Sequence, residues 1–166
     1  MPSLIKDGAI VQDTWTLIKE ATGPEVLMAL RGKNIIVPLP FWQLYHEELE
    51  SQPGAVGIWL ASDELVESIK TQLFNFPLVA LHFPVFTDGR AYSNARQLRQ
   101  EYGYAGEIRA FGDVLRDQLF YMQQCGFTSF ALRHDQDTES CLSAFADFQE
   151  SYQATMVKQE PLFRRR

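Results

Sequence analysis

The sequence is poor in the residues from which most cofactor sites are built. It has two cysteines, Cys125 and Cys141, among 166 residues. Two are too few for a disulfide scaffold or a four-cysteine metal or iron–sulfur site, and no C-x-x-C step makes them a redox pair. The three histidines, His46, His82 and His134, lie in different segments and share no metal-ligand spacing. There is no G-x-G-x-x-G after a strand, no G-x-x-x-x-G-K-[ST] phosphate loop and no G-x-S-x-G nucleophile elbow. No nucleotide, iron–sulfur or metal motif is visible, so the sequence names no cofactor. No run of ~18 apolar residues suggests a membrane span, and no basic-then-apolar leader opens the chain, which makes the cytoplasm the expected compartment. Fifteen Lys and Arg against 21 Asp and Glu leave a net charge of −6. That balance argues against a nucleic-acid partner, which usually meets a basic surface.

What is present suits one packed domain. Hydrophobic residues make up 46% of the chain and charged residues 22%, and 12 Phe, 6 Tyr and 3 Trp supply bulk for a core. Residues 1–54 form a small β-rich segment with one short helix. Ala9–Gln12 and Thr14–Lys19 are short and β-branched, and a hairpin joining them is expected. Asn34–Val37 reads as a strand stopped by Pro38, and Phe41–Glu50 as an amphipathic helix broken by Pro53-Gly54. From 55 to 150 one unit recurs. Strands are expected near 55–60, 78–83, 107–111 and 127–132, each followed by a helix. Ser62-Asp63, Ser93 or Asn94, Asp113 and Thr138 stand at the helix starts, and Gly126 ends the third. The fourth helix carries Leu142, Phe145 and Phe148. Residues 1–160 make a single α/β domain, and 161–166 a basic tail expected to be mobile.

Four βα repeats imply parallel strands with right-handed crossovers. The charged strand Glu107-Ile108-Arg109 needs a polar or accessible face, whereas a strand between two helix layers is usually a continuous apolar run. The expected architecture is therefore half of a TIM-like barrel rather than an open doubly wound sheet. Two free edges and an open concave face would favour self-association, so a homodimer is a possible partner state.

Arginine is used unevenly. Residues 88–133 hold Arg90, Arg96, Arg99, Arg109, Arg116 and Arg133 without one lysine, and carry a net charge of +1 within an acidic chain. Guanidinium without ammonium suits bidentate recognition of carboxylate, phosphate or sulfate. Ligands in parallel α/β folds collect at the carboxyl ends of strands. The candidate anion-binding residues are Arg90, Tyr92, Ser93, Arg109, Arg116 and Arg133, with Asp88, Asp113 and Asp117 as candidate proton carriers. Arg90 and Arg109, from neighbouring units, are expected to meet in one polar site reached by Asp88 and Asp113. Arg96 and Arg99 read more simply as surface arginines paired with Glu101 and nearby carboxylates. His82, inside an apolar strand, reads as a hydrogen-bonded core residue, and Cys125 as a small core residue.

The stretch Phe83-Pro-Val-Phe-Thr-Asp-Gly-Arg-Ala-Tyr-Ser93, followed by Arg96, Arg99 and Tyr102-Gly103, resembles one bacterial family. Gly106–Ala110, Gly112–Phe120 and Cys125-Gly-Phe127 continue the likeness, as do Ile36–Leu39 and Gly57–Leu60 before it. The family is the bacterial domain of unknown function numbered nine hundred and thirty-four, described as an oxidoreductase involved in sulfite reduction. The resemblance implies an accessory or assembly protein of assimilatory sulfite reduction, with sulfite reductase or its electron donor as partner. The alternative is an enzyme or binding module acting on sulfite or a sulfonucleotide through the Arg/Asp site.

Overall fold

A computed structural model describes residues 3–20, 23, 25–143 and 145. Its centre is one mixed sheet of eight strands, curled as a half-barrel. The strands are β1 (Ser3–Lys6), β2 (Ala9–Gln12), β3 (Trp15–Leu17), β4 (Asn34–Pro38), β5 (Val56–Leu60), β6 (Leu78–Phe83), β7 (Glu107–Gly112) and β8 (Ser129–Phe130). Their order in the sheet is β2-β1-β8-β7-β6-β5-β4-β3. β3 to β8 run parallel to one another, and β1 lies antiparallel both to β2 and to β8. The parallel run therefore has six strands rather than four.

The N-terminal hairpin differs from the sequence expectation. It joins β1 to β2 through Asp7-Gly8, both at positive φ (51° and 79°), the backbone that a tight two-residue hairpin turn demands. Trp15–Leu17 does not fold back on β2. It lies at the opposite end of the strand order, paired with β4. Only Asp13 and Thr14 separate β2 from β3, so three extended residue steps span the two edges of the sheet. At up to 3.6 Å a step Gln12, at the end of β2, lies within about 11 Å of Trp15, at the start of β3. The two edge strands approach at that point, while no hydrogen-bonded pairing of β2 with β3 is present among the described residues.

Period-two alternation sorts the side chains onto the two surfaces. The outer face carries Ile35, Val37, Ile58, Leu60, Val79, Leu81, Phe83, Ile108 and Ala110, packed with residues of the surrounding helices into the main core. Those helices include α1 (Glu25–Ala29), α2 (Leu39–Ser51), α3 (Arg90–Arg96) and α4 (Leu119–Cys125), with a 3-10 helix over Val66–Asn75. On the inner face Ile36, Leu78, Ala80 and Phe111 form a second cluster with Trp15, Leu17, Trp59 and Ala131. Helices on one surface and a separate small cluster on the other are what a curled sheet requires.

Several caps differ from expectation. Val66–Asn75 follows Leu65 without a side-chain cap, and Ser62 instead accepts a bond from Arg90. α3 begins at Arg90 after Gly89, so Ser93 and Asn94 lie inside it, and the buried Asn94 amide donates to the Glu64 carbonyl. Asp113 is taken by other partners, and the helical turn after it starts at Arg116. Gly126 ends α4 in the left-handed region (φ 116°), as expected from its position. The fourth expected strand shortens to Ser129–Phe130. Helix begins again at Thr138. Phe148 and the basic tail lie outside the described residues. Among the described residues no helix is long and apolar enough to cross a membrane.

Candidate functional site

The arginines singled out by the sequence are mostly neutralised where they stand. Arg90 donates through Nε and Nη2 to the two oxygens of Asp88 (3.0 and 2.7 Å), and its Nη2 also reaches Ser62 Oγ at 2.9 Å. The Arg90 bonds hold the Asp88 carboxyl well below the usual carboxylate range. Arg133 makes a fork to Asp135 (2.7 Å for Nε and for Nη2) and gives Nη1 to Asp113 at 2.8 Å. Asp135 is thereby lowered to about 2, and Asp113, which also accepts the Phe86 N–H, is lowered too, first by Arg133. These carboxylates stay ionised at neutral pH and are poor proton carriers there.

Arg109 belongs to a different network. It is buried on the inner face and donates to Asp13 at 3.0 Å, Glu107 at 2.9 Å and Ser129 Oγ at 3.2 Å. Lys6 completes the set at 3.1 Å from Glu107. Burial works against ionisation of Glu107, but the Ser129 hydrogen bond, with Arg109 and Lys6, holds its carboxyl below its ordinary value. Arg90 and Arg109 share no partner among the described residues, so the expected joint site does not form. Asp13 comes from the link between β2 and β3, so this network ties that link to β7 and β8.

The remaining candidates also stand apart. Tyr92 packs on Phe83 and Tyr121, with burial pushing its hydroxyl up to about 12. Ser93 is exposed on α3, and Arg116 and Asp117 are exposed at the start of the helical turn before α4. Neither flanking arginine pairs with a carboxylate among the described residues. Arg96 donates to the Tyr121 hydroxyl, and Arg99 donates to the carbonyls of Gly126, Tyr104 and Gly106. Cys125 is buried as expected. Among the described residues no cluster of three or more His, Cys, Asp or Glu side chains could hold a metal.

A cleft of about 460 Å³ opens where the strands end. It is lined at its floor by Leu17, Trp59, His82 and Phe111, and at its rim by Lys19, Glu20, Arg133 and His134. These come from the carboxyl ends of β3, β5, β6 and β7 and the segment after β8, the end at which ligands of parallel α/β folds collect. Trp59 donates its indole N–H to the Ile18 carbonyl at 2.9 Å, which fixes the ring. His82 sits 4.9 Å from Phe111 and 5.8 Å from Trp59, centroid to centroid. Neither ring nitrogen has a hydrogen-bond partner among the described residues, against the expectation of a satisfied core histidine. Burial, and then the charge of Lys19, lower its pKa and keep the imidazole neutral. Gly112 makes this packing possible: at φ 97° a Cβ there would lie 2.5 Å from the Phe83 carbonyl oxygen and 2.8 Å from the His82 ring.

Of the expected site residues only Arg133 lines this cleft. Trp59, Phe111 and Lys19 escaped the sequence reading because each is ordinary in its own segment. The available signal was period two along Leu78–Phe83, which places His82 on the face opposite Val79, Leu81 and Phe83.

The fold and cleft define an α/β protein with a curled sheet and a ligand-sized opening at the carboxyl ends of its parallel strands. The chain belongs to the family described as bacterial protein of unknown function, DUF934, whose model matches residues 57–163. That range holds Trp59, His82, Phe111, Arg133 and His134, while Leu17, Lys19 and Glu20 precede it. No curated protein and no solved structure matches the chain.

Proposed function

We propose that this chain is an accessory protein of assimilatory sulfite reduction that works by binding an anionic ligand in the cleft at the strand carboxyl ends. The pathway comes from the sequence resemblance; the binding role rests on the cleft. The observation that carries it is the imidazole of His82, without a hydrogen-bond partner among the described residues, on the aromatic floor of a cleft that Lys19 also lines. A neutral imidazole offers one donor and one acceptor, and an ammonium offers charge, a combination that receives an oxyanion without a resident counter-ion. The pairs of Arg133 with Asp113 and Asp135 are rim structure in this reading rather than the receptor, because the fork is already occupied. An enzyme acting on sulfite or a sulfonucleotide would use the same cleft, with His82 rather than Asp88 or Asp113 as its proton carrier.

Thermal unfolding with sulfite, sulfate and adenylyl sulfate tests the binding role. A ligand at ~100 times its Kd adds about 2.7 kcal/mol to the folded state, a plain rise in Tm. Co-purification with sulfite reductase or its electron donor tests the accessory role. No stabilisation by any of the three anions, together with no retained partner, refutes the proposal.

A further inference from the structure

We propose that the cleft takes a single negative group carried on a flat aromatic or heteroaromatic ring, the ring lying against Trp59, His82 and Phe111 and the negative group at Lys19. This rests on the reading of the cleft as an anion site and narrows it to a ligand class.

The floor dictates the ring. Three adjacent strands each contribute one aromatic side chain, and the three rings touch: Trp59 meets Phe111 at 5.5 Å and 85°, while His82 meets both. Trp59 has spent its N–H on Ile18, and Phe111 has no polar atom. The floor therefore offers π surface and the nitrogens of one imidazole. A bare oxyanion pressed onto it would give up several waters for one or two hydrogen bonds, a costly exchange for a charged group. A flat ring recovers that surface through edge and face contacts with rings already set at steep angles. The volume, about 460 Å³, also falls within the ~300–1,000 Å³ of small-molecule sites and far exceeds what a bare oxyanion fills.

The rim dictates the charge. Arg133 gives Nε and Nη2 to Asp135 and Nη1 to Asp113, so its charge is balanced in place. Lys19 is exposed and makes no ion pair among the described residues, and it is near enough to act on His82. Glu20 stands beside it on the same rim and opposes a second negative group. Lys19 matches one negative group, and further negative charge finds no second unpaired cation among the described residues of this rim.

Titration calorimetry on the full chain tests this with three probes: naphthalene-2-carboxylate, its neutral carboxamide, and sulfite. The carboxylate should bind at least tenfold more tightly than either other probe. Lys19→Gln, at an exposed position, should reduce the carboxylate to the affinity of the carboxamide without moving Tm. Equal affinity for carboxylate and carboxamide, or carboxylate binding untouched by Lys19→Gln, overturns the charge assignment. Sulfite binding as tightly as the carboxylate overturns the ring while leaving the anion site standing. Binding of no anion at all overturns both.

Discussion

Replacing Arg109 with methionine should destabilise the protein severely, although the residue looked from sequence like part of a ligand site. The side chain is 5% exposed and holds two carboxylates, Asp13 and Glu107, whose side chains are 19% and 10% exposed. Methionine keeps much of the volume but leaves both carboxylates short of a cation. Breaking a buried pair by removing one partner costs about 3–5 kcal/mol, because the orphaned charge stays desolvated. Glu107 keeps Lys6 and Ser129, and Asp13 keeps the Trp15 N–H, so the lower end, about 3 kcal/mol, is expected here. A domain of this size loses about 2–4 °C of Tm per kcal/mol, so the drop should be about 6–12 °C. Urea unfolding with a two-state fit supplies the free energy and calorimetry the Tm. Adding Glu107→Gln to Arg109→Met should recover part of the loss, since one orphaned charge is then removed. A loss below about 1 kcal/mol in the single variant would show that the network is solvated in solution and would refute the reasoning.

Gly112→Ala should cost at least about 2 kcal/mol, because a Cβ there meets the Phe83 carbonyl oxygen at 2.5 Å on a left-handed backbone; stability equal to the parent in urea would show that the strand end relaxes freely. Acid should destabilise the fold through Glu107. Its folded pKa lies below 4.5, so the unfolded chain binds more protons as pH falls past that value. The stability it contributes is complete above pH 4.5 and is lost as pH drops through the folded value. Glu107→Gln should flatten the dependence of unfolding free energy on pH in that range, and an unchanged slope would assign the acid sensitivity elsewhere.

The sheet was legible wherever a strand is apolar and bounded by turn residues. Asn34–Val37, 55–60, 78–83 and 107–111 all fall on strands, because consecutive β-branched and aromatic residues have few other ways to be buried. Ser3–Lys6 was missed although it carried a local signal: Asp7-Gly8, between it and Ala9–Gln12, is a two-residue hairpin turn, whereas its other partner, β8, lies more than a hundred residues away. The misplaced hairpin has a non-local cause. Nothing within Ala9–Lys19 says that β2 and β3 belong to opposite edges, since that depends on how the six parallel strands curl. The site was legible by location and not by residue. Strand carboxyl ends were the right place to look, and Arg133 is there. Arg90 and Arg109 were read as open forks, but a charged side chain's availability depends on partners that folding supplies, such as Asp88 for Arg90 and Asp13 and Glu107 for Arg109; Arg99, read as paired with carboxylates, donates to three carbonyls instead.

The pairing of β1 with β8 has a kinetic consequence. Ile5 pairs with Phe130, 125 positions later, so β1 joins the parallel strands only once β8 has been made. Bringing such distant residues together costs about 4 kcal/mol of chain entropy, taken as (3/2)RT ln n. The β1–β2 hairpin is local and forms within about 1–10 μs, while β8 must first be made. At ~5–20 residues per second, synthesis keeps the hairpin waiting about 6–25 s for its neighbour. During that interval Leu4 and Ile5, both buried in the finished fold, have no sheet to enter. Ser3–Lys6 is therefore made well before β8 yet cannot take its place beside the parallel strands until β8 exists, and in the interval this strand is open to mispairing.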